Sequence, residues 1–289
     1  MIAVDENASL ATADVQRRFD QAAPHFDDAD FVHAVTRDGL LHRLQPMLVE
    51  PGTVVDLGAA TGSACQYLSR RFGRSRVMAI DLSLDMLRQL RHKQARFSKT
   101  AAVQANATAL PLGDQSVAVI FANLLLPWID DPAAFFREVA RVLKKGGLLL
   151  FSTLGPDSLL ELRKAWASVD TAAHVNRFPD MHDIGDAAVR AGLRDPVLDV
   201  DRLTVTYENP AAVFRDLTAA GARNCLRQRP RSLVGKGRFA SMSQALADAG
   251  NDTVIRLDLE LVYGHCWGSG PLATPTEYRV DAGQIGRRR

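Results

Sequence analysis

Between Thr53 and Thr153 the chain alternates short, unbroken apolar runs with stretches whose apolar residues recur every three or four positions. Val54 to Leu57 is a run of the first kind and predicts a short buried strand, followed by a helix through Tyr67 and Leu68. Val77 to Ile80 predicts a second strand, ending at Asp81, and Ser83 is placed to cap a helix with Met86, Leu87 and Leu90 on one face. "VAVIFA", Val117 to Ala122, is rich in β-branched residues and closes on Asn123. Asp131 and Pro132 read as N-cap and first position of the next helix. Phe135, Phe136, Val139, Val142 and Leu143 follow at helical spacing, and the Lys144–Gly147 run ends it. Leu148 to Phe151 is a further buried strand. Runs this apolar cannot face water, so the alternation predicts a parallel sheet covered by helices on both faces.

The flanks differ. Residues up to about Leu48 read as helical, with breaks at Pro24 and Pro46. Beyond the alternating region, Pro156 to Val169 predicts a helix with Leu159, Leu162, Trp166 and Val169 in a stripe; a second spans Pro179 to Ala191, and Val197 to Tyr207 is extended. "VIRLDLELVYG" sets Ile255, Leu257, Leu259 and Leu261 against Arg256, Asp258 and Glu260, the pattern of an antiparallel strand with one wet face closing the edge of the sheet. With no repeat and no low-complexity linker, the chain reads as one α/β domain. Its parts are an N-terminal helical lid (1–50), a ligand-binding core (51–155), substrate-binding helices with closing strands (156–270) and a flexible tail (271–289).

Composition narrows the function classes. A chain of 289 residues that is 47% apolar and 24% charged can bury a large core, and a formal charge of +2 makes no case for nucleic acid. The cysteines, Cys65, Cys225 and Cys266, are odd in number and scattered, which suits a reducing compartment. No metal-ligand spacing is present. The N-terminus is too polar for a secretory signal, and no apolar run is long enough for a membrane span, so the reading is a soluble cytoplasmic protein.

The loop after the first strand, "DLGAATG", carries the candidate chemistry. In an open parallel sheet, ligands bind beyond the carboxyl ends of the strands where strand order reverses. The loop lacks the GxGxxG spacing of a dinucleotide site and the GK[ST] ending of a phosphate loop. Asp56 at its start suits a cationic ligand better than a phosphate. Asp81, at the end of the second strand, can accept hydrogen bonds from two ribose hydroxyls. Alone it could equally cap the following helix; together with the loop, ribose binding is favoured.

From about Thr53 to Thr153 these motifs resemble the class I S-adenosylmethionine-dependent methyltransferases. "VVDLGAATG" resembles the family's first motif, "AIDLSLDML" the second and "QANATALPL" the third; "VAVIFANLLLPWI" and "FFREVARVLKKGGLLLFST" resemble the fourth strand, next helix and fifth strand. The resemblance implies a Rossmann-like, seven-stranded, mostly parallel sheet with an antiparallel last strand. It implies S-adenosylmethionine as cofactor, contacted by Asp56, Gly58, Ala60, Gly62, Asp81, Leu82, Asn106, Ala107 and Asn123. Two positions depart from the pattern. Ala60 replaces a glycine, which predicts a negative φ there. Asn106 replaces an aspartate and is expected to accept from the adenine amino group through its amide oxygen.

Outside the core, "RRFDQAAPHFD", "NLLLPW", "FSTLGPDSLLELRKAWASVD", "HVNRFPDMHDIGDAAVRAGL", "RDLTAAGARN" and "VYGHCWG" resemble the malonyl-acyl carrier protein O-methyltransferases of biotin synthesis. That implies methyl transfer to the free carboxylate of malonyl-acyl carrier protein. A carboxylate is already ionised near neutrality, so such a site needs alignment in a dry pocket rather than a general base. Arg177 is the candidate carboxylate orienter, with His174 and Asn176 as neighbours, Phe26 as an apolar lid wall and Trp128 lining or underlying the pocket. Between Leu217 and Ala247 there is no acid, whereas Arg223, Arg227, Arg229, Arg231, Lys236 and Arg238 are present, a run suited to steering an acidic carrier. Two alternatives remain at this stage: a protein-modifying assembly factor of the same fold, and a cofactor-binding protein without transfer activity.

Overall fold

A computed structural model describes residues 9–73, 75–94, 100–229, 234–249 and 254–270. In chain order the elements are α1 (Thr12–Ala22), α2 (Phe31–Leu44), β1 (Thr53–Leu57), α3 (Cys65–Arg71), β2 (Val77–Asp81), α4 (Leu84–Lys93), β3 (Ala101–Gln104) and β4 (Val117–Ala122). They continue with α5 (Pro132–Val142), β5 (Leu143–Leu154), α6 (Leu160–Ala167), α7 (Met181–Arg190), β6 (Arg194–Tyr207), α8 (Pro210–Ala219), α9 (Lys236–Asp248) and β7 (Ile255–Trp267). The strands form a 7-stranded sheet in the order β3-β2-β1-β4-β5-β7-β6. The first five are parallel, and β7 runs antiparallel to both of its neighbours. Strand order reverses between β1 and β4, which puts the loops after β1 and β4 at one rim.

Strand alternation divides the core between two faces. Val54, Phe121, Leu148 and Leu150 pack with Leu40, Leu44, Leu68 and Leu90 of α2, α3 and α4. Their chain neighbours Val55, Ile120, Leu149 and Phe151 pack with Phe135, Phe136 and Val139 of α5 and Ile184 of α7. Both faces are therefore dry, and a fully buried Phe or Leu here contributes about 1.5–3 kcal/mol. A third cluster joins α6, α8 and α9 over the far ends of β6 and β7 through Leu162, Trp166, Val213, Met242 and Leu257. The capping expectations hold: the Ser83 hydroxyl accepts from the Met86 N–H, and Asp131, ahead of Pro132, accepts from the Ala134 N–H.

Three expectations are corrected. The Ile255 strand does not close the sheet; it lies between β5 and β6, and the half-wet β6 is the edge. The Lys144–Gly147 run belongs to β5 rather than to a helix end, with a register shift against β4 and Gly146 at φ 73°. The helix expected from Pro156 starts only at Leu160. The Asp157 N–H donates to the Glu260 carboxylate and the Leu159 N–H to the Asp258 carbonyl, so β7 holds this segment out of helical form, and Leu159 stands at φ 58°.

Among the described residues, no helix is long and apolar enough to cross a membrane. The three cysteines are free and buried. The expected tail, 271–289, lies outside the described residues.

Candidate active site

Two cavities meet at the sheet's rim. The smaller, about 180 Å³, lies over the ends of β1, β2 and β4; its walls include Gly58, Ala60, Asp81, Leu82, Asn106, Ala107 and Asn123. All the residues expected to contact a cofactor are thus brought together, except Asp56, which is buried, and Gly62; neither lines the cavity. Asp56 is buried and accepts from the Cys65 thiol at 3.1 Å. Val15 and Phe19 of α1, together with Phe26, form the outer wall.

The loop is shaped by backbone bonds to Asp81. Its Oδ2 accepts from the Ala60 N–H at 2.8 Å and its Oδ1 from the Ser83 N–H at 2.8 Å. Ala60 is at φ 46°, not the expected negative value, because Gly58 (φ 73°) and Gly62 (φ 83°) turn the chain so that its N–H reaches Asp81. A left-handed alanine costs about 1–2 kcal/mol, which the loop's other bonds must offset. Burial pushes the Asp81 carboxyl up to about 6 despite those two N–H donors. It pushes Asp56 up to about 7, against the Cys65 bond and with a further rise from the nearby Asp81 charge. Two buried acids held near neutrality favour a cation.

Asn106 is also corrected in detail. Its Oδ1 accepts from both the Thr108 N–H and the Thr108 hydroxyl at 3.0 Å, so the oxygen expected to face the ligand is engaged and the Nδ2 donor is left for the pocket. Asn123 lines the pocket but has both polar ends in use. Nδ2 donates to the His33 carbonyl at 2.9 Å, and Oδ1 accepts from the Ser152 hydroxyl at 2.9 Å.

The larger cavity, about 280 Å³, is walled by Leu159, Leu162, Trp166, Phe178, Leu217, Leu257 and other apolar residues, with Arg18, Arg223 and Arg229 among them. His33, Leu124 and Trp128 line both cavities. Burial, with Arg37 nearby, pulls His33 down to about 4 and holds it neutral; its Nδ1 is buried without a partner, and its ring meets Phe26 edge-on at 4.9 Å.

His174 and Asn176 line the larger cavity as expected. The His174 ring stacks on Trp166 at 3.8 Å and bonds Asp170 at 2.8 Å. The "HVNRF" and "GARN" segments come together, with Asn224 Nδ2 donating to the Ala173 carbonyl at 2.7 Å. Arg177 does not fit its expected place: it is exposed and absent from the cavity wall, while Asn176 before it and Phe178 after it face inward.

The basic run also divides. Arg229 pairs with Asp14 at 2.6 Å, and Arg223 faces the cavity. Only Arg227, Lys236 and Arg238 are exposed among the described residues, and Arg231 lies outside them.

Sequence reading missed Arg18 and His33. Arg18 shares a helical stripe with Val15 and Phe19, and His33 interrupts the apolar "FVHAV"; both are signals of an inward-facing polar group.

The segment 55–151 matches the family described as a methyltransferase domain. The malonyl-acyl carrier protein O-methyltransferase of Halorhodospira halophila is 41% identical over 283 residues, 95% of either chain. That of a Methylovorus strain is 40% identical over 261 residues, 88% of either chain. Among solved structures, the YcgJ protein of Bacillus subtilis superposes with a TM-score of 0.58 at 15% identity, over 80% of this chain and 98% of its own. The putative methyltransferase bound to the Trm112 activator in Haloferax volcanii gives 0.56 at 19% identity, over 90% and 100%. These two likenesses establish the fold.

Proposed function

We propose that this chain, which belongs to the malonyl-acyl carrier protein O-methyltransferase family, methylates the free carboxylate of malonyl-acyl carrier protein with S-adenosylmethionine as donor. The observation that carries the reading is the pair of cavities sharing His33, Leu124 and Trp128. A transfer between two bound molecules needs such a junction, and each cavity has the chemistry of one of them.

The smaller cavity fits the donor. Asp56 and Asp81 supply negative charge without a phosphate site, and a Cβ on Gly58 would lie 3.0 Å from Leu125, so only glycine fits the loop at this point. Asp81 would take the ribose hydroxyls on its remaining lone pairs, Asn106 would donate to the adenine ring, and Leu82 and Ala107 would flank it. When bound, S-adenosylmethionine supplies an electrophilic methyl group on a cationic sulfur.

The chain's own residues bind, align and exclude water. The acceptor carboxylate is already ionised near neutrality, so no side chain has to remove a proton. That agrees with a junction whose one titratable group, His33, is neutral. Phe19 and Trp128, edge-on at 5.1 Å, wall the junction, and water excluded there would strengthen the attraction between an anionic acceptor and a cationic donor.

Within the N-terminal segment to residue 50, α1 and Phe26 act as the lid over the core, 51–155, while α2 packs against the sheet; 156–270 serve as the acceptor side. The lid is fastened by the Ser83 hydroxyl donating to Asp20 and the Thr61 hydroxyl donating to Asp27, both at 2.6 Å. Arg227, Lys236 and Arg238 are the groups that would meet an acidic carrier. The reaction belongs to biotin precursor synthesis in the cytoplasm, a compartment suited to three free thiols.

Mass spectrometry of malonyl-carrier after incubation with enzyme and donor tests the reading. One added methyl is expected on the malonyl group, leaving with it when the thioester is cleaved. An unmodified carrier, or a methyl on a protein side chain instead, would replace it with one of the rival activities.

A further inference from the structure

The larger cavity holds a charge imbalance. Its charged lining residues, apart from histidines, are Arg18, Arg223, Arg229 and Asp216. Arg229 is matched by Asp14, and Asp216 sits beside Tyr207, whose phenol burial first and then Asp216 push up to about 12. Arg18 and Arg223 have no ion-pair partner among the described residues. Arg223 donates to the Thr218 hydroxyl at 2.9 Å and lies over the Phe214 ring at 5.2 Å. Burial first, then the Arg18 charge, lowers its pKa, which places the two guanidiniums within each other's field. The Nε of Arg18 is buried with no hydrogen-bond partner. Two like charges against apolar walls, one with an orphaned donor, are costly unless an anion joins them.

Position gives the anion a purpose. Arg18 lies on α1 between Val15 and Phe19, which face the smaller cavity, and Phe19 touches Trp128 at the junction. A carboxylate held by Arg18 therefore sits next to the wall that the two cavities share. Arg223 comes from a distant part of the chain, on the segment that Asn224 ties to Ala173.

We propose that Arg18 and Arg223 form the carboxylate site for the methyl acceptor, with the apolar remainder of the cavity taking the uncharged thioester end. This rests on the acceptor reading above and moves its anion contact from Arg177 to residues lining the cavity. It also explains turnover: esterification removes the negative charge of the malonyl group, so the product loses both guanidinium contacts and is released.

The test measures binding of malonyl-carrier, its methyl ester and acetyl-carrier to the protein saturated with S-adenosylhomocysteine. Wild type should prefer malonyl-carrier over either by roughly tenfold or more, the worth of a charge-assisted pair. Arg18→Gln and Arg223→Gln should each erase most of that preference, Arg18→Lys should restore part of it, and S-adenosylhomocysteine affinity should stay within about twofold. If Arg18→Gln fails to fold, Arg223→Gln and Arg18→Lys carry the comparison. A preference kept by both Gln variants, or absent in wild type, overturns the proposal. Methylation by wild type is scored separately. Transfer without discrimination removes this site alone, whereas discrimination without transfer keeps the anion site and removes the reaction.

Discussion

At the scale of single residues, Asp56 and Asp81 set how the smaller cavity responds to pH. Both carboxyls titrate higher in the folded chain than in an unfolded one, at about 7 and about 6. Between the unfolded and folded values the native state binds more protons. Their contribution to the free protein's stability is therefore complete below the unfolded pKa and disappears as pH rises through about 6–7. A cationic ligand reverses the preference, because it favours the ionised acids. Donor affinity should climb from about pH 5.5 to about 7.5 and then level off, with proton release on binding in that window. Titration calorimetry in buffers of different ionisation heat reads the released protons; flat affinity with no release would show that neither acid meets the ligand's charge. The acids were legible from position alone, since strand ends at a reversing sheet are where ligands bind. Ala60 was not. Its left-handed φ follows from a bond to Asp81 that no local residue preference reveals, and the same holds for Asn106, whose oxygen is taken by Thr108 in a local turn.

At the scale of elements, the apolar runs of β1, β2, β4 and β5 were read correctly because both of their faces are dry, so every residue in the run carries the signal. The alternation of β7 was also clear, but alternation reports one wet face and says nothing of which neighbours flank a strand, and hence the misplaced edge. β7 is pinned to β5 through Phe151, paired with Gly264; a Cβ on that glycine would lie 2.2 Å from the Phe151 ring. Gly264→Ala should therefore lower stability by about 1–3 kcal/mol through overpacking. A urea titration checks it: an unmoved midpoint would mean that Phe151 turns aside freely and that the β5–β7 contact is loose. The late start of α6 has a similar origin, because Glu260 and Asp258 of β7 capture backbone groups that a helix from Pro156 would have used.

At the scale of the whole molecule, the substrate side depends on contacts between distant segments. The Ala11 N–H donates to the Cys225 carbonyl and the Arg227 N–H to the Ser9 carbonyl, which lays the N-terminus against the loop after α8. The Leu10 N–H and the Ser9 hydroxyl both donate to Asp130, beyond β4. Motif resemblance could nominate "HVNRF" and "GARN" as a pair, and they do meet. It could not show that Arg177 turns outward while Arg18, from the far end of the chain, turns in. Part of the basic run was misread for the same reason: an acid-free stretch of sequence finds its acid in α1, where Asp14 takes Arg229. The central claim is that two cavities joined at His33, Leu124 and Trp128 hold donor and acceptor at once. A crystal structure with S-adenosylhomocysteine and a non-hydrolysable malonyl-thioester analogue tests it most directly. The homocysteine sulfur should lie above Gly58 and Asp81 and the malonyl carboxylate beside Arg18 and Arg223, with the junction residues between them. Density for either molecule outside its cavity, or a carboxylate turned away from the junction, would contradict it.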